Sequence, residues 1–148
     1  MLYLSFTDCN VDVTHVRWGM CPVEFTVLYT GKEHFPSLAY QVTVNHNGKC
    51  LNCTNSHPGS RNDKTIIRLD EYMMAIKNGD ILQDCIWKYV DAAGVEHEMA
   101  GAWTITDNGY HAWRFLQCPI KAAYREEEIA WSVRRESVRK DVECFFGR

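Results

Sequence analysis

The chain has 148 residues, an apolar fraction of 46%, a charged fraction of 24%, nine Gly and four Pro. That is one domain's worth of ordinary globular composition, and it excludes a disordered, collagen-like or low-complexity chain. A net charge of −3, from 16 Lys and Arg against 19 Asp and Glu, argues against a grip on DNA by bulk positive charge alone, and no run approaches the roughly 18 to 20 apolar residues of a membrane span.

The N-terminus meets Asp8 too early, and lacks too basic a start, to be a secretory signal. From Leu2 to about Trp18 apolar residues alternate with small or polar ones, rich in Val, Thr and Phe, which predicts a strand. A looser segment follows around Cys21-Pro22 and Thr30-Gly31-Lys32. Leu38, Tyr40, Val42 and Val44 are spaced by two and predict a strand over 37–45. Asn47-Gly48 predicts a type I′ hairpin turn into a strand from Cys50 to Thr54.

His57-Pro58-Gly59-Ser60 reads as a strand break. Asn62 or Asp63 then caps a helix that runs to about Lys77 and ends at Asn78-Gly79. Residues 85–99 predict a second hairpin around Asp91-Ala92-Ala93-Gly94, and Ala102 to Thr106 a short buried strand that stops at Asp107. From Glu126 to Phe146 the pattern is helical, with Ile129, Val133, Val138, Val142 and Phe145 or Phe146 as the apolar stripe. Strands, a helix, more strands and a closing helix predict an α/β or α+β domain with a mixed sheet.

Seven cysteines, at 9, 21, 50, 53, 85, 118 and 144, are an odd number that suits reduced thiols of an intracellular protein. Cys50 and Cys53 form a lone CxxC, with His46 or His57 as conceivable further zinc ligands. In a strand, however, positions three apart point to opposite faces, so the two sulfurs do not converge without a turn.

Three acids stand at unusual places. Asp12 lies inside an apolar strand (VDVTHV), where an unpaired charge costs several kcal/mol. Asp107 ends a short apolar strand, the place where open α/β sheets gather ligand-binding groups. Glu143 is flanked by Val142, Phe145 and Phe146, which sets it near the core boundary. Carboxylates from two strands and a helix suit hard divalent cations, and two such ions would activate a water or 3′-hydroxyl and stabilise the leaving oxygen of a phosphodiester. Blander roles stay open: Asp12 paired with Arg17, Asp107 opening a turn with Asn108-Gly109, and Glu143 paired with Arg139 or Lys140. Asp63 reads as a helix-start residue paired with Arg61 or Lys64, and His15 as a core or hydrogen-bonding residue. Trp18, Trp113 and Trp131 could stack on unpaired bases, although core packing is the commoner role.

Four collinear segments carry a sharper signal: VDVTHVRW, SHPGSRNDKTI, ITDNGYHAWRFLQCPI and ESVRKDVECFFGR. Together they resemble the Asp-x-Thr-His, Gly-Ser-x-x-Asp, Asp-x-Gly-Tyr and Arg-x-x-Val-Glu-x-x-Phe-Gly blocks of PIF/Harbinger-type DDE transposases, over residues 11–148. The resemblance implies a ribonuclease-H-like mixed sheet flanked by helices, and metal-dependent cutting and joining of DNA with two Mg²⁺ or Mn²⁺ ions. It places the catalytic and metal-binding acids at Asp12, Asp107 and Glu143, with Arg139 and Lys140 near a scissile phosphate. The intervals between those acids are 94 and 35 residues, the second shorter than in many members. A separate DNA-binding partner protein and a nuclear location are further implications. On the same resemblance, residues 1–148 are expected to be one catalytic domain trimmed at both ends, either an active nuclease or an inert remnant that keeps the fold. Its expected basic tail is thin: residues 121–148 carry seven Lys and Arg against six Asp and Glu.

Overall fold

The computed structural model describes residues 9–91 and 93–147, so the Leu2–Asp8 part of the predicted first strand and the Ala92 position of the second turn lie outside it. Strand β1 (Cys9–Arg17) runs antiparallel to β2 (Ser37–Asn45), which pairs with β3 (Cys50–Cys53) and with a two-residue β4 (His57–Pro58). On its other side β1 runs parallel to β7 (Thr104–Ile105), and β7 parallel to β8 (Leu116–Gln117). The main sheet therefore has the order β3-β2-β1-β7-β8, a mixed sheet of the ribonuclease-H-like kind, with β5 (Ile86–Val90) and β6 (Glu96–Ala100) forming a separate hairpin.

The two faces of β1 follow from its alternation. Val11 and Val13 point to one side, where α2 (Asp63–Leu69) and α3 (Glu71–Asn78) bury Ile66, Ile67, Met73 and Ile76 against them. Asn10 and Asp12 point to the other, opposite Val44 and Val42 of β2. There the long helix α4 (Glu126–Phe145) covers the sheet through Val142 and Phe146. Of the predicted α4 stripe only Val142 is buried and Phe146 half-buried, since Ile129, Val133, Val138 and Phe145 remain exposed.

Several local expectations are corrected. The looser segment contains a short helix, α1 (Val23–Tyr29), whose apolar residues are all at least partly exposed, so no buried periodicity announced it. The Asn47-Gly48 loop is not a type I′ turn, because Gly48 alone has positive φ. Instead the Asn45 side chain accepts from the backbone N–H groups of Asn47 and Lys49 and holds the loop open by one residue. His57-Pro58 pairs with β2 rather than only breaking the chain. The single helix predicted over 63–77 is two helices, because Asp70 interrupts it with extended backbone and caps the second. The two-residue strand β8 has no sequence signal of its own.

Asp70 is almost fully buried and is the polar hub of this side of the sheet. Its carboxylate accepts from the backbone N–H groups of Tyr72 and Met73 and from the side-chain amides of Gln41 and Asn52. Asp70→Ala leaves two amides and two helix N–H groups unpaired, which costs about 3 kcal/mol. Thermal unfolding should therefore drop by roughly 6 to 12 °C, and a drop within error of zero would contradict the hub assignment.

Candidate functional site

The parallel pairing of β1 with β7 decides where the acids meet. Asn10 is paired with Ile105, and two residues further along stand Asp12 and Asp107, which that register sets on the same face and near enough to repel each other. Asp107 stands just past the carboxyl end of β7, as expected, and Asp12 lies inside β1, as its fourth residue. Asp107 opens a turn in which its Oδ1 accepts from the Gly109 N–H at 2.7 Å. A methyl group on Gly109 would stand 2.9 Å from that oxygen and 3.0 Å from Oδ2 of Asp63, so Asp63 and Asp107 reach one point in space. Glycine is what leaves that point clear.

Asp63 is the residue whose role the sequence misplaced. The helix cap is Asn62, whose side chain accepts from the Thr65 N–H at 2.9 Å. That leaves Asp63 free to face Asp107 across the end of the sheet, with Lys32 and His15 nearby as positive or proton-accepting groups. The signal that could have found it was the redundancy of two capping residues in succession. His15 itself contacts Ser37, with Nδ1 and Oγ 3.2 Å apart, on the side of the strand away from Asp12.

Glu143 enters from α4 through Arg139, one turn earlier on the same helix. The guanidinium lies 2.8 Å from Glu143 Oε1, 3.3 Å from Asp12 Oδ2 and 3.3 Å from Glu136 Oε2. Asp12 and Glu143 are therefore within the span of one planar cation. Of the expected partners, Arg139 does pair with Glu143, while that of Asp12 is corrected: Arg17 stacks on Phe35, and Arg139 serves Asp12 as well.

The electrostatics follow from this crowding. Burial pushes the Asp12 carboxyl above the usual aspartate value; the Val13 N–H and Arg139 oppose the shift, while Asp107 and Asp63 add to it. Asp63 is raised in the same way, by burial first, with Lys32 opposing and Asp107 reinforcing. The Tyr110 hydroxyl is buried among these groups, makes no hydrogen bond, and is held well above the usual phenol value by burial and by Asp12, Asp63 and Asp107. Burial alone would lower the Arg139 guanidinium, but Asp12, Glu136 and Glu143 outweigh it and raise it.

As the side chains stand, no group of three or more Asp, Glu, His or Cys among the described residues is arranged to hold a metal ion. At the acidic cluster the physical reason is visible: Arg139 already occupies the space between Asp12 and Glu143. Cys50 and Cys53 are both exposed, with no third ligand beside them.

The sequence pattern described as the DDE superfamily endonuclease family matches residues 11–148. No curated protein and no solved structure matches the chain.

Repulsion among the acids can be read in the metal-free protein. Between the usual aspartate pKa and the raised values of Asp12 and Asp63, the folded chain binds more protons than the unfolded one, so stability falls as pH rises through that window. Asp107→Asn keeps the acceptor for Gly109 but removes the charge that reinforces both shifts. At neutral pH without metal it should melt a few degrees above the wild type, and the gain should vanish once the acids are protonated. A lower melting temperature would make Asp107 a structural residue instead.

Proposed function

The chain belongs to the DDE superfamily endonuclease family, and from that premise we propose that it is the catalytic domain of a PIF/Harbinger-type transposase, or of a nuclease derived from one, that cuts DNA phosphodiester bonds with two divalent metal ions. The observation that carries this reading is the gathering of Asp12 from within β1, Asp107 from just past β7 and Asp63 from the start of α2, with Glu143 tied to the same place through Arg139.

The donor set fits Mg²⁺ or Mn²⁺, being made of carboxylate oxygens. Two aspartates held above their ordinary pKa by burial first and by neighbouring carboxylates second, beside a buried tyrosine hydroxyl without a partner, form a place that a further positive charge would stabilise. Asp12, Asp107 and Glu143 would hold the ions, with Asp63 as a fourth carboxylate. When bound, the ions would activate the attacking water or 3′-hydroxyl and stabilise the leaving oxygen.

The chain's own residues set the rest. Gly109 keeps the approach between Asp63 and Asp107 open, and its N–H fixes the rotamer of Asp107. Arg139 holds Asp12 and Glu143 close together before metal arrives, and once released it is placed to meet a backbone phosphate. Lys140 follows it on the exposed face of α4. A separate DNA-binding partner and a nuclear location belong to this reading through the resemblance.

A second reading has one specific observation in its favour. Arg139 already neutralises Asp12 and Glu143, which is how a fold that has lost its chemistry would settle its inherited acids. Calorimetric titration with Mn²⁺ separates the two, because the inert fold has no affinity for the ion.

Nicking of duplex DNA in Mg²⁺ is the direct test. Asp12→Asn, Asp107→Asn and Glu143→Gln should each lower the rate roughly a thousandfold, corresponding to several kcal/mol of lost transition-state stabilisation. Full activity in any one of the three would remove the mechanism.

A further inference from the structure

A second feature lies on the same face of the sheet, one step back from the acids. Asn10 precedes Asp12 by two residues on β1, Ile105 precedes Asp107 by two on β7, and Val138 immediately precedes Arg139 on α4. These three residues line one cavity of about 250 Å³ between α4 and the sheet. Its remaining wall is aromatic and cationic. The Arg135 guanidinium lies 3.8 Å from the ring centre of Trp131 and 4.9 Å from that of Trp103, and Arg134 stands exposed beside it. Asn10 is 1% exposed, gives its amide N–H to the Val138 carbonyl, and leaves its Oδ1 without a hydrogen-bond partner.

We propose that this cavity binds one unpaired nucleobase of the DNA strand being cut. Two indoles and a planar guanidinium make flat surfaces on which a base of any sequence can stack. Arg134 supplies positive charge for the adjoining phosphate in a chain whose net charge is otherwise negative. An open-mouthed cavity of about 250 Å³ between a helix and a sheet suits a single base rather than a base pair within a duplex, so the base must first leave the duplex. The Asn10 acceptor matches a ring N–H or exocyclic amino group, which a base offers and an aliphatic side chain does not. Position completes the case: two residues of strand, about 7 Å, separate cavity from acids, so a base held here anchors the strand close to the bond being cut.

The inference takes its DNA from the proposed nuclease reading, and its test is run in EDTA so that the two can fail separately. A single-stranded oligonucleotide carrying 5-iodouracil is bound and irradiated, and the cross-linked residue is mapped by mass spectrometry. Cross-links at Trp131 or Trp103 are expected, and cross-links confined to other residues would overturn the proposal. In parallel, Trp131→Ala should weaken single-strand binding about tenfold to a hundredfold, from the stacking energy of one base. Binding of a fully paired duplex should be nearly unchanged, and Trp131→Phe should retain most of the affinity. Trp131 is 41% exposed on its helix, so these variants keep the core. Equal loss on single strand and duplex, or no loss on either, would contradict the proposal. Cross-linking at the tryptophans with no Mg²⁺-dependent nicking would sink the nuclease reading and leave the base site standing.

Discussion

The structure depends on one short stretch of parallel backbone pairing, Cys9 with Thr104 and Asn10 with Ile105. Parallel strands must be joined by a long crossover, and here the crossover is residues 18–103, more than half of the chain, from α1 through the second hairpin. Because side chains alternate with period two, that register fixes which face Asp12 and Asp107 share and brings them to the same level of the sheet. A slip of one residue would turn one aspartate into the α2–α3 core. The acids are thus placed by backbone hydrogen bonds, and the charges on them are tolerated rather than responsible for the fold.

Arg139 resolves the conflict this placement creates. Carboxylates gathered at a sheet end repel one another, and burial adds to the difficulty of keeping them ionised. One guanidinium with fixed planar geometry can neutralise Asp12 and Glu143 together, at a spacing set by one turn of α4. Asp107 and Asp63 lie outside its reach, and they meet where Gly109 makes room. The cluster is therefore divided into a half bridged by arginine and a half with only Lys32, His15 and the Gly109 N–H beside it. A divalent ion would enter the second half first, while full coordination would require Glu143 to exchange its arginine for the metal.

Much of this was legible in the residues. The β2 strand, the second hairpin and α4 announced themselves through period-two and period-3.6 patterns, and the three acids stood out because each interrupts or borders an apolar run. What the sequence hid has physical causes. Helix α1 buries none of its side chains fully, so tertiary burial left no pattern to read. The break at Asp70 lies inside a continuous helical pattern, and only its partners Gln41 and Asn52, distant in sequence, show why an aspartate should interrupt it. Asp63 was assigned to a cap because two capping residues are adjacent and only geometry shows that Asn62 does the capping. The pairing of Glu143 with Arg139 was visible as a helical spacing, but the reach of the same guanidinium to Asp12 was not. Trp131 was legible as an aromatic that could stack on bases, whereas its alignment with Arg135 and Trp103 depends on how α4 lies across the sheet.

The proposed function requires that the acidic cluster take a divalent ion in exchange for the arginine. The most direct test is anomalous diffraction from crystals of the protein soaked in Mn²⁺. The account predicts manganese density against the carboxylates of Asp12 and Asp107, with the Arg139–Glu143 ion pair broken. Crystals saturated with manganese that show no density there, and Arg139 still bridging Asp12 and Glu143, would contradict it.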